Sequence, residues 1–362
     1  MEQWYRNIIS GQKASAPAAI LRVLLRTLGL FYGLLIRARN FLYDYQFIEA
    51  RRLPVPVISI GNITTGGTGK TPTVIMVVRT LRALGHRPAV LTRGYGSKPG
   101  QIADEVQVMR NLCPDVPVVV NSNRYAGGLT AIQQHGADCV VLDDGFQHRR
   151  LHRDFDIVLV DATQPLGIPA MLPGGTLREP PQSLARAHAV MLTRCEQISA
   201  ELADFAAGLM TNWVHQRLVF QQYTTVKGVT DRSGAPVVIG GQNVLAFAGI
   251  GNPEGFLATI RTLGLVPTAT YWFPDHHPYN QPDDQARLME LHREFAPEAW
   301  VTTAKDAVKL TQLQPPVPLW KVDIEANLAG YQQELFTEEL AHLFLRFNPA
   351  ATVPPVAPVV QA

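Results

Sequence analysis

The sequence predicts an α/β fold in which a mostly parallel sheet carries helices on both faces, followed by a smaller C-terminal α/β domain. From Leu53 onward, short apolar runs rich in β-branched residues alternate with segments of helical periodicity, and the alternation restarts at Asn243. Near-continuous apolar strands separated by helices are typical of parallel strands buried on both faces. An amphipathic pattern before residue 53 adds an N-terminal helix to this architecture.

The chain of 362 residues is long enough for two domains, each with its own core. We expect an N-terminal helical segment over 1–52, a first α/β domain over 53–213, a linker region over 214–242 and a second α/β domain over 243–347. The last residues, 348–362, are rich in Pro and Ala and are predicted to be disordered.

Apolar runs and helical periodicity give the individual elements. In the first domain the predicted strands are 55–60, 88–92, 116–120, 138–144, 156–161 and 188–194, and the predicted helices are 72–85 and 124–135. In the second domain the predicted strands are 243–251, 269–273 and 299–303, and the predicted helices are 253–264 and 282–295.

The charge of the chain is unevenly distributed. Residues 1–52 carry eight Lys and Arg residues against three acidic ones, a net charge of +5 in a chain whose total is +2. A basic end on a mildly acidic body indicates an anionic partner surface, either a membrane or a nucleic acid. Three widely spaced cysteines without a Cys-x-x-Cys pair predict neither a disulfide framework nor a zinc site, and favour a reducing compartment.

Residues 17–43 are predicted to form an amphipathic helix that lies on a membrane and does not span it. At 100° per residue, Arg22, Arg26 and Arg37 fall within about 60° of one another, and much of the remaining circumference is Leu, Ile, Val and Phe. The longest uncharged run, 27–36, is ten residues, about half of the ~20 that a spanning helix needs. The alternative is a helix packed on the protein core. No cleavable signal peptide is predicted.

The stretch "TTGGTGKTPT" predicts a phosphate-binding loop. It lies between an apolar strand and a helix, where backbone N–H groups and the helix N-terminus converge on an anion. Lys70 is expected to reach the β- and γ-phosphates of a nucleotide, and the Thr71 hydroxyl to ligate Mg²⁺. Thr64 stands where the usual pattern has its first glycine, at the entrance of the loop. The residues expected to bind the nucleotide are Thr64, Thr65, Gly66, Gly67, Thr68, Gly69, Lys70 and Thr71.

Two common classes of P-loop protein fit the sequence poorly. GTPases need a base-reading motif of the Asn-Lys-x-Asp type, and the sequence has none. Dimeric switch ATPases that use membrane-targeting helices place a lysine just before the Gly-Gly pair, where this chain has Thr65. The alternative to a nucleotide site is a glycine-rich βα turn with an accidental Lys-Thr.

An acidic pair follows the strand predicted at 138–144. P-loop folds place an acid at this strand end, opposite the loop, to hold Mg²⁺ directly or through water, and Asp143 and Asp144 meet that description. Two adjacent ionised carboxylates repel, so a cation or basic neighbours must hold both charged. The alternative is a solvated pair at a strand end.

Basic residues gather at the same predicted edge of the sheet. They occur in "HRRLHRD" after the acidic pair, in "TRGYGSK" after the second strand and in "NRYAGG" after the third. The carboxyl ends of parallel strands share one edge, so these cations should surround the acceptor side of the nucleotide and indicate an anionic substrate. Each arginine taken alone would be a surface charge.

Together the motifs resemble the tetraacyldisaccharide 4′-kinase family. The resemblance spans roughly residues 17–345 and rests on blocks that occur in the family's order: "PVPVISIGNITTGGTGKTP", "LTRGYG", "NRYAGG", "LDDGFQHRRLHRD", "LPGGTLREP", "FAGIGNP", "FPDHHPY" and "TTAKDAVKL". It implies ATP-dependent phosphorylation of the 4′-hydroxyl of a tetraacylated glucosamine disaccharide 1-phosphate, giving lipid IVA, at the cytosolic face of the inner membrane. No nucleic acid and no protein partner are implied. A membrane-docking P-loop ATPase switch without a lipid acceptor is the alternative.

The resemblance also implies roles for individual residues. Catalysis is expected from Lys70, Asp104 and His276. Asp104 and His276 are expected to come from two different domains and to act together as the general base. The family carries its aspartate in Gly-Asp-Glu-Pro, whereas this chain has "ADEV" at 103–106. The implied Mg²⁺ ligands are Thr71, Asp143, Asp144 and Glu105. The residues expected to contact the lipid substrate are Arg93, Arg124, His148, Arg178 and Glu179.

Overall fold

The computed structural model describes residues 2–94, 104–214, 218–275, 277–310 and 313–347. These residues form two compact units. Of the described residues, the first unit holds 2–93, 116–214, 218–223 and 328–347, and the second holds 94, 104–115, 224–275, 277–310 and 313–327. The predicted disordered tail, 348–362, lies outside the described residues.

Helices and strands are numbered in chain order. The helices are α1 (Glu2–Ile9), α2 (Ala16–Asp44), α3 (Lys70–Ala83), α4 (Asp104–Leu112), α5 (Arg124–His135), α6 (Ala200–Val214), α7 (Pro253–Thr262), α8 (Pro282–Phe295), α9 (Ala304–Ala307) and α10 (Tyr331–Arg346). The strands are β1 (Val57–Asn62), β2 (Pro88–Thr92), β3 (Val118–Val120), β4 (Cys139–Asp143), β5 (Phe155–Asp161), β6 (Ala189–Thr193), β7 (Leu218–Thr230), β8 (Asn243–Ala248), β9 (Val266–Trp272), β10 (Ala299–Thr303) and β11 (Leu319–Leu328). Short 3₁₀ helices cover Pro181–Arg186 and Cys195–Gln197.

In the first unit, β1 lies at the centre of a sheet with the strand order β3-β2-β4-β1-β5-β6-β7. Its strand pairs from β3 through to β7 are parallel. The register pairs Ile60 of β1 with Asp143 of β4. Because parallel strands end at one edge, the loop after β1 and the acidic pair at the end of β4 lie side by side.

Apolar side chains bury both faces of this sheet. One cluster joins β5 and β6 to α6 and the 3₁₀ helix at 181–186, with Val158, Leu192, Leu184 and Met210 all buried. By the register of the strands, β2 and β4 pack against α5 on this same face, and on the opposite face β1, β2 and β4 contact α3. Removing such side chains from water contributes about 1.5–3 kcal/mol each, which is why the strands are continuously apolar, as the sequence indicated.

The second unit has its own parallel sheet, in which β11, β10, β8 and β9 are neighbours in that order. One cluster packs β8 and β10 with α7, and a second packs them with α8 around the fully buried Trp300. Helix α4 also belongs to this unit, and contacts α9. The sequence had assigned residues 94–115 to the first domain; buried Val106, Val108 and Met109 on α4 favour the second unit instead.

Residues 214–242 are not an irregular linker. Strand β7 occupies 218–230, and its first part, up to Tyr223, belongs to the first unit while the rest belongs to the second. Only alternate or scattered positions of β7 are buried, so the apolar run that signals a strand elsewhere in the chain is missing here.

Helix α2 confirms the helix expected over 17–43 and packs one side against the first unit. Two glycines on this side allow close approach: a Cβ atom on Gly29 would lie 2.5 Å from the Met171 carbonyl oxygen, and one on Gly33 would lie 3.1 Å from Met171 Cγ. The Tyr32 hydroxyl donates to the Arg178 carbonyl oxygen at 3.1 Å. The helix packed on the core and the helix with a free apolar face therefore describe two sides of the same element.

The other side of α2 is apolar and exposed. The exposed residues include Ile20, Val23, Leu24, Leu28, Leu30, Phe31, Leu34, Leu35, Phe41 and Leu42. The helix has 29 residues and an 18-residue window of mean hydropathy 1.8, so by length and composition alone it could cross a membrane. That it lies on the membrane surface without spanning it stays a prediction. The basic stripe is also smaller than expected, because Arg22 donates to the carbonyl oxygens of Ile8 and Lys13 and so ties α2 to α1.

Candidate active site

The phosphate loop connects β1 to α3 and turns through two left-handed glycines. Gly66 has φ 112° and Gly69 has φ 80°, conformations in which a side chain would be strained. Gly69 precedes the first residue of α3, and having no side chain it leaves the N–H groups of the first turn directed at the loop's concave side. Lys70 and Thr71 open the helix, as the motif predicted.

The loop is held from one side by residues 176 and 177. The Thr65 N–H donates to the Thr176 carbonyl oxygen at 2.8 Å, and Thr64 bridges to Leu177. The side chains of Thr64 and Thr68 are buried, and the Thr68 hydroxyl accepts from the Asn62 amide at 3.0 Å. The side chains of these two threonines therefore support the shape of the loop. Only their backbone groups are left to contact a nucleotide.

Asp144 is surrounded by cations. Arg178 donates to both its carboxylate oxygens, at 2.8 and 3.0 Å, and the Lys70 ammonium lies 3.9 Å away. Burial tends to raise the pKa of this carboxyl, but the hydrogen bond from Arg178 and the charges of Lys70 and Arg178 outweigh it, so the pKa of Asp144 is lowered. The carboxylate therefore stays ionised beside the phosphate loop.

Asp143 is the last residue of β4 and is almost completely buried, with the Thr92 hydroxyl 3.5 Å from its Oδ2 atom. The chain then turns at Asp144, whose φ of 54° is unusual for a residue with a side chain. This turn separates the two acids: one carboxylate faces the β2 end of the sheet, and the other faces Lys70.

A basic cluster flanks the acids. Arg124, at the start of α5, is 3 % exposed and donates to the Asn121 carbonyl oxygen at 2.7 Å. Burial lowers its pKa, and Arg93 nearby lowers it further. For His148, burial and then the charges of Arg124 and other arginines lower the pKa to about 4. His148 is therefore neutral at neutral pH, with one ring N–H donor and one acceptor nitrogen.

Glu179 has a different environment from that expected of a substrate ligand. Its carboxylate is fully buried and accepts from Arg39 at 3.2 Å, from Asn40 at 2.9 Å and from Arg186 at 2.9 Å. Burial would raise its pKa, but Arg186 and the other donors lower it. Two of the three donors lie on α2, so Glu179 anchors that helix. Its complete burial argues against the predicted direct contact with a substrate.

Asp104 and His276, which are expected to act together as the general base, lie partly outside the described residues. Asp104 begins α4 and Glu105 follows it, but the side chains of both, and all of residue 276, lie outside them. Helix α4 and the neighbours of residue 276, Asp275 and His277, belong to the same unit. Because α4 belongs to the second unit, the assignment of residue 104 to the first domain is corrected, and the pairing of Asp104 with His276 stays a prediction.

Sequence reasoning missed residues on the β5–β6 side of the loop. Arg194, which follows β6 with φ 63°, donates to the Gly67 carbonyl oxygen and to Asp161 at the end of β5. Arg6 of α1 lies 3.8 Å from where a Cβ of Gly66 would stand. Arg194 could have been found from its position in the sequence, because it directly follows a buried apolar strand and therefore lies at the carboxyl edge of the sheet.

The first unit and its site define a class of protein: a P-loop nucleotide-binding enzyme that transfers a phosphoryl group. The features that define it are a glycine-rich loop between a central strand and a helix, an ionised acid beside the loop lysine and a cationic flank. Comparison with known proteins then identifies the family within that class.

Residues 21–344 match the family model described as tetraacyldisaccharide-1-P 4′-kinase. A tetraacyldisaccharide 4′-kinase of Syntrophus aciditrophicus is 38% identical over 330 residues, which cover 84% of this chain and 87% of that protein. One of Pelobacter propionicus is 38% identical over 332 residues, covering 86% and 89%. A crystal structure of an "apo" form of LpxK from Aquifex aeolicus in complex with ATP has a TM-score of 0.71 and 29% identity, covering 90% of this chain and 99% of that one.

The chain belongs to the tetraacyldisaccharide 4′-kinase family. Its activity is the ATP-dependent transfer of phosphate to a sugar hydroxyl, the step of lipid A biosynthesis that yields lipid IVA. The resemblance drawn from the sequence motifs is confirmed.

Proposed function

We propose that the phosphates of ATP bind in the loop 64–71, with Lys70 neutralising the β- and γ-phosphates during transfer. The observation that carries this proposal is the arrangement of Lys70: it lies at the N-terminus of α3 and 3.9 Å from the ionised Asp144. Phosphoryl transfer requires positioning and neutralisation of charge, and a loop lysine with converging N–H groups supplies both.

The residues present fit a Mg²⁺ ion. Mg²⁺ prefers oxygen ligands and keeps several waters, so one or two carboxylates, a hydroxyl and the nucleotide phosphates suffice to bind it. Asp143, Asp144 and Thr71 would hold the ion, and its charge would offset that of the phosphates. The lowered pKa of Asp144 keeps one of these ligands ionised at neutral pH. Whether Glu105 contributes stays a prediction.

The lipid acceptor would bind on the side of β2 and β4. Arg93 is exposed there, the buried Arg124 carries a positive charge, and the neutral His148 can donate or accept a hydrogen bond without adding charge. These groups suit the phosphate and hydroxyl groups of an acylated disaccharide 1-phosphate. Removal of the proton from the attacking hydroxyl is assigned to Asp104 with His276, as the motifs indicate.

The exposed apolar side of α2 would lie in the headgroup region of an anionic membrane, at the cytosolic face of the inner membrane. Its opposite side is fixed to the first unit by Gly29, Gly33 and the Asn40–Glu179 hydrogen bond. A helix held in this way keeps its length along the protein surface, which favours insertion parallel to the membrane over crossing it. This arrangement would bring the enzyme to a substrate whose acyl chains stay in the bilayer.

The metal assignment is tested by the Mg²⁺ dependence of activity. Asp143→Asn should raise the Mg²⁺ concentration needed for half-maximal rate by about tenfold or more, the usual scale for a residue that supports a metal. Asp204→Asn, an exposed carboxylate on α6, is the matched control and should leave the dependence unchanged. An unaltered Mg²⁺ dependence in Asp143→Asn would contradict the assignment.

A further inference from the structure

Helix α1 brings a charged side chain to the phosphate loop from outside the motifs that define the site. The helix spans Glu2–Ile9, whereas the match to the family model begins at residue 21. Its Arg6 is exposed, and the Nη2 atom of Arg6 lies 3.8 Å from where a Cβ atom of Gly66 would stand. Neither the motif of the loop nor the acidic pair gives α1 a role.

Helix α1 is fixed to the first unit by burial and by hydrogen bonds. Ile8 and Ile9 are each only 1% exposed. The Arg22 guanidinium of α2 donates to the Ile8 carbonyl oxygen at 2.7 Å, and the Tyr5 hydroxyl donates to the Pro173 carbonyl oxygen at 2.6 Å. Buried apolar side chains and long-range hydrogen bonds therefore determine which side of α1 faces the loop.

One short segment of the first unit holds both α1 and the loop. The Tyr5 hydroxyl and the Thr65 N–H donate to carbonyl oxygens three residues apart, at the two ends of the segment 173–176. Arg6 directly follows Tyr5 in the chain, and Gly66 directly follows Thr65. These two hydrogen bonds therefore bring Arg6 and Gly66 together through a common support.

The space beside the two exposed glycines of the loop is open and bordered by cations. Apart from chain neighbours, the one atom of the described residues within 4 Å of a Cβ on Gly66 is Arg6 Nη2. For Gly67, in the same part of the chain, it is Arg194 Nη2, at 3.9 Å. Arg194 is held in place by Asp161 and by the Gly67 carbonyl oxygen. An anion that enters this space meets guanidinium groups, whose N–H donors match the oxygens of a phosphate.

We propose that Arg6 binds a phosphate group of ATP in the loop 64–71, so that α1 forms part of the nucleotide site. Its guanidinium adds to the positive charge that Lys70 supplies, and its planar donors contact two phosphate oxygens at once. The inference rests on the proposed binding of the phosphates in this loop. Arg6 takes part in binding the nucleotide and has no part in removing the proton of the acceptor hydroxyl.

The test is a charge series at position 6, with the affinity for a non-hydrolysable ATP analogue measured by titration calorimetry. Arg6→Gln should weaken binding by about tenfold, the scale of one hydrogen bond to a charged group. Arg6→Lys should keep most of the affinity, because it keeps the charge, and Arg6→Glu should lose more than Arg6→Gln, because it repels the phosphates. The loss in Arg6→Gln should shrink at 1 M salt, where the Debye length falls to about 3 Å.

The matched control is Arg87→Gln, which changes an exposed arginine just before β2, at the opposite edge of the same sheet. It should bind the analogue as the unaltered protein does. The KM for the lipid acceptor should be unchanged throughout the series. Unchanged affinity in all three variants, or equal losses in Arg6→Gln and Arg6→Glu that persist at 1 M salt, would overturn the contact between Arg6 and the phosphates.

Lys70→Ala in the same titration separates this inference from the proposed function on which it rests. Weakened binding in Lys70→Ala with full affinity throughout the Arg6 series would overturn the role of Arg6 alone. Full affinity in Lys70→Ala would overturn the placement of the phosphates in the loop 64–71, and the role of Arg6 with it.

Discussion

At the scale of single residues, the site separates charged groups from neutral ones. Asp144 stays ionised because Arg178 and Lys70 are close, whereas His148 stays neutral because it is buried among arginines. A protonated histidine would add one more positive charge to a cluster that is already cationic. A neutral histidine can still donate a hydrogen bond to the sugar substrate or accept one from it.

The protonation of His148 can be followed directly. Its imidazole should titrate at about pH 4, because burial and the nearby arginines lower its pKa from the ordinary value of 6.5. Nuclear magnetic resonance of the histidine ring protons against pH measures the midpoint. Arg124→Ala should move that midpoint upward, since it removes one of the charges that disfavour the imidazolium. A midpoint near 6.5 in the unaltered protein would contradict this environment.

The residues whose positions the sequence located best are those fixed by local geometry. Lys70 and Thr71 could be placed at the start of a helix because a phosphate loop is one continuous segment, and Asp144 could be placed at a strand end. Their roles toward the nucleotide and the metal stay predictions. The pairing of Arg178 with Asp144, and the anchoring of α2 by Glu179, join residues that are 34 and 139 or more positions apart. Such contacts depend on the tertiary fold, and no local pattern indicates them.

At the scale of elements, helix α2 combines a packed side and a free side. Glycine at positions 29 and 33 lets the packed side approach Met171 closely, while the leucines and phenylalanines point away. The sequence predicted the amphipathic helix from its periodicity. It did not predict which residues would be packed, because the small residues that make the contact carry little hydrophobic signal.

The close approach at Gly29 predicts that alanine substitutions at two helical glycines have opposite effects on the stability of the protein. Gly29→Ala should destabilise the protein by about 1–3 kcal/mol, because the new methyl group would meet the Met171 carbonyl oxygen. Gly208→Ala, on the exposed side of α6 where no atom lies within 4 Å, should stabilise it by about 0.5–1 kcal/mol. Urea unfolding of both variants measures the difference, and equal effects would contradict the packing of α2.

The free side of α2 predicts binding to membranes. A variant with Leu30, Phe31, Leu34 and Leu35 replaced by Ser should lose most of its flotation with liposomes containing anionic lipid, because those exposed side chains supply the buried apolar area. Flotation on a density gradient measures the bound fraction, and the same number of exposed apolar residues replaced elsewhere, at Leu202, Phe205 and Leu209 on α6 with Val238, is the control. Undiminished flotation of the α2 variant would show that the membrane contact lies elsewhere.

Most strands of both sheets could be predicted, but β7 and β11 could not. Most of the predicted strands are buried on both faces and are therefore continuously apolar, as in β4 and β6, whereas β3 and β9 are only partly buried. Strands β7 and β11 are buried only at some positions and mix in Gln, Lys, Asp and Glu. Their place in the sheets is determined by neighbouring strands, and that information is not present in a short window of sequence.

At the scale of the whole molecule, two compact units divide the chemistry. The first holds the phosphate loop, the acidic pair and α2; the second holds α4 and the segment next to His276. The chain crosses between the units several times, which is why a boundary drawn along the sequence assigned residues 94–115 to the wrong unit.

The central claim is that the loop at 64–71 delivers the terminal phosphate of ATP to a glycolipid hydroxyl. The most direct test is to incubate the enzyme with γ-labelled ATP, Mg²⁺ and a tetraacyl disaccharide 1-phosphate in mixed micelles, and to follow the label into lipid by thin-layer chromatography. One labelled phosphate per acceptor molecule is expected. Lys70→Ala should incorporate at least ~10³-fold less label, because it removes the positive charge that neutralises the phosphate being transferred. The control Lys227→Ala should incorporate label normally. Label released only as inorganic phosphate, or near-normal transfer by Lys70→Ala, would contradict the claim.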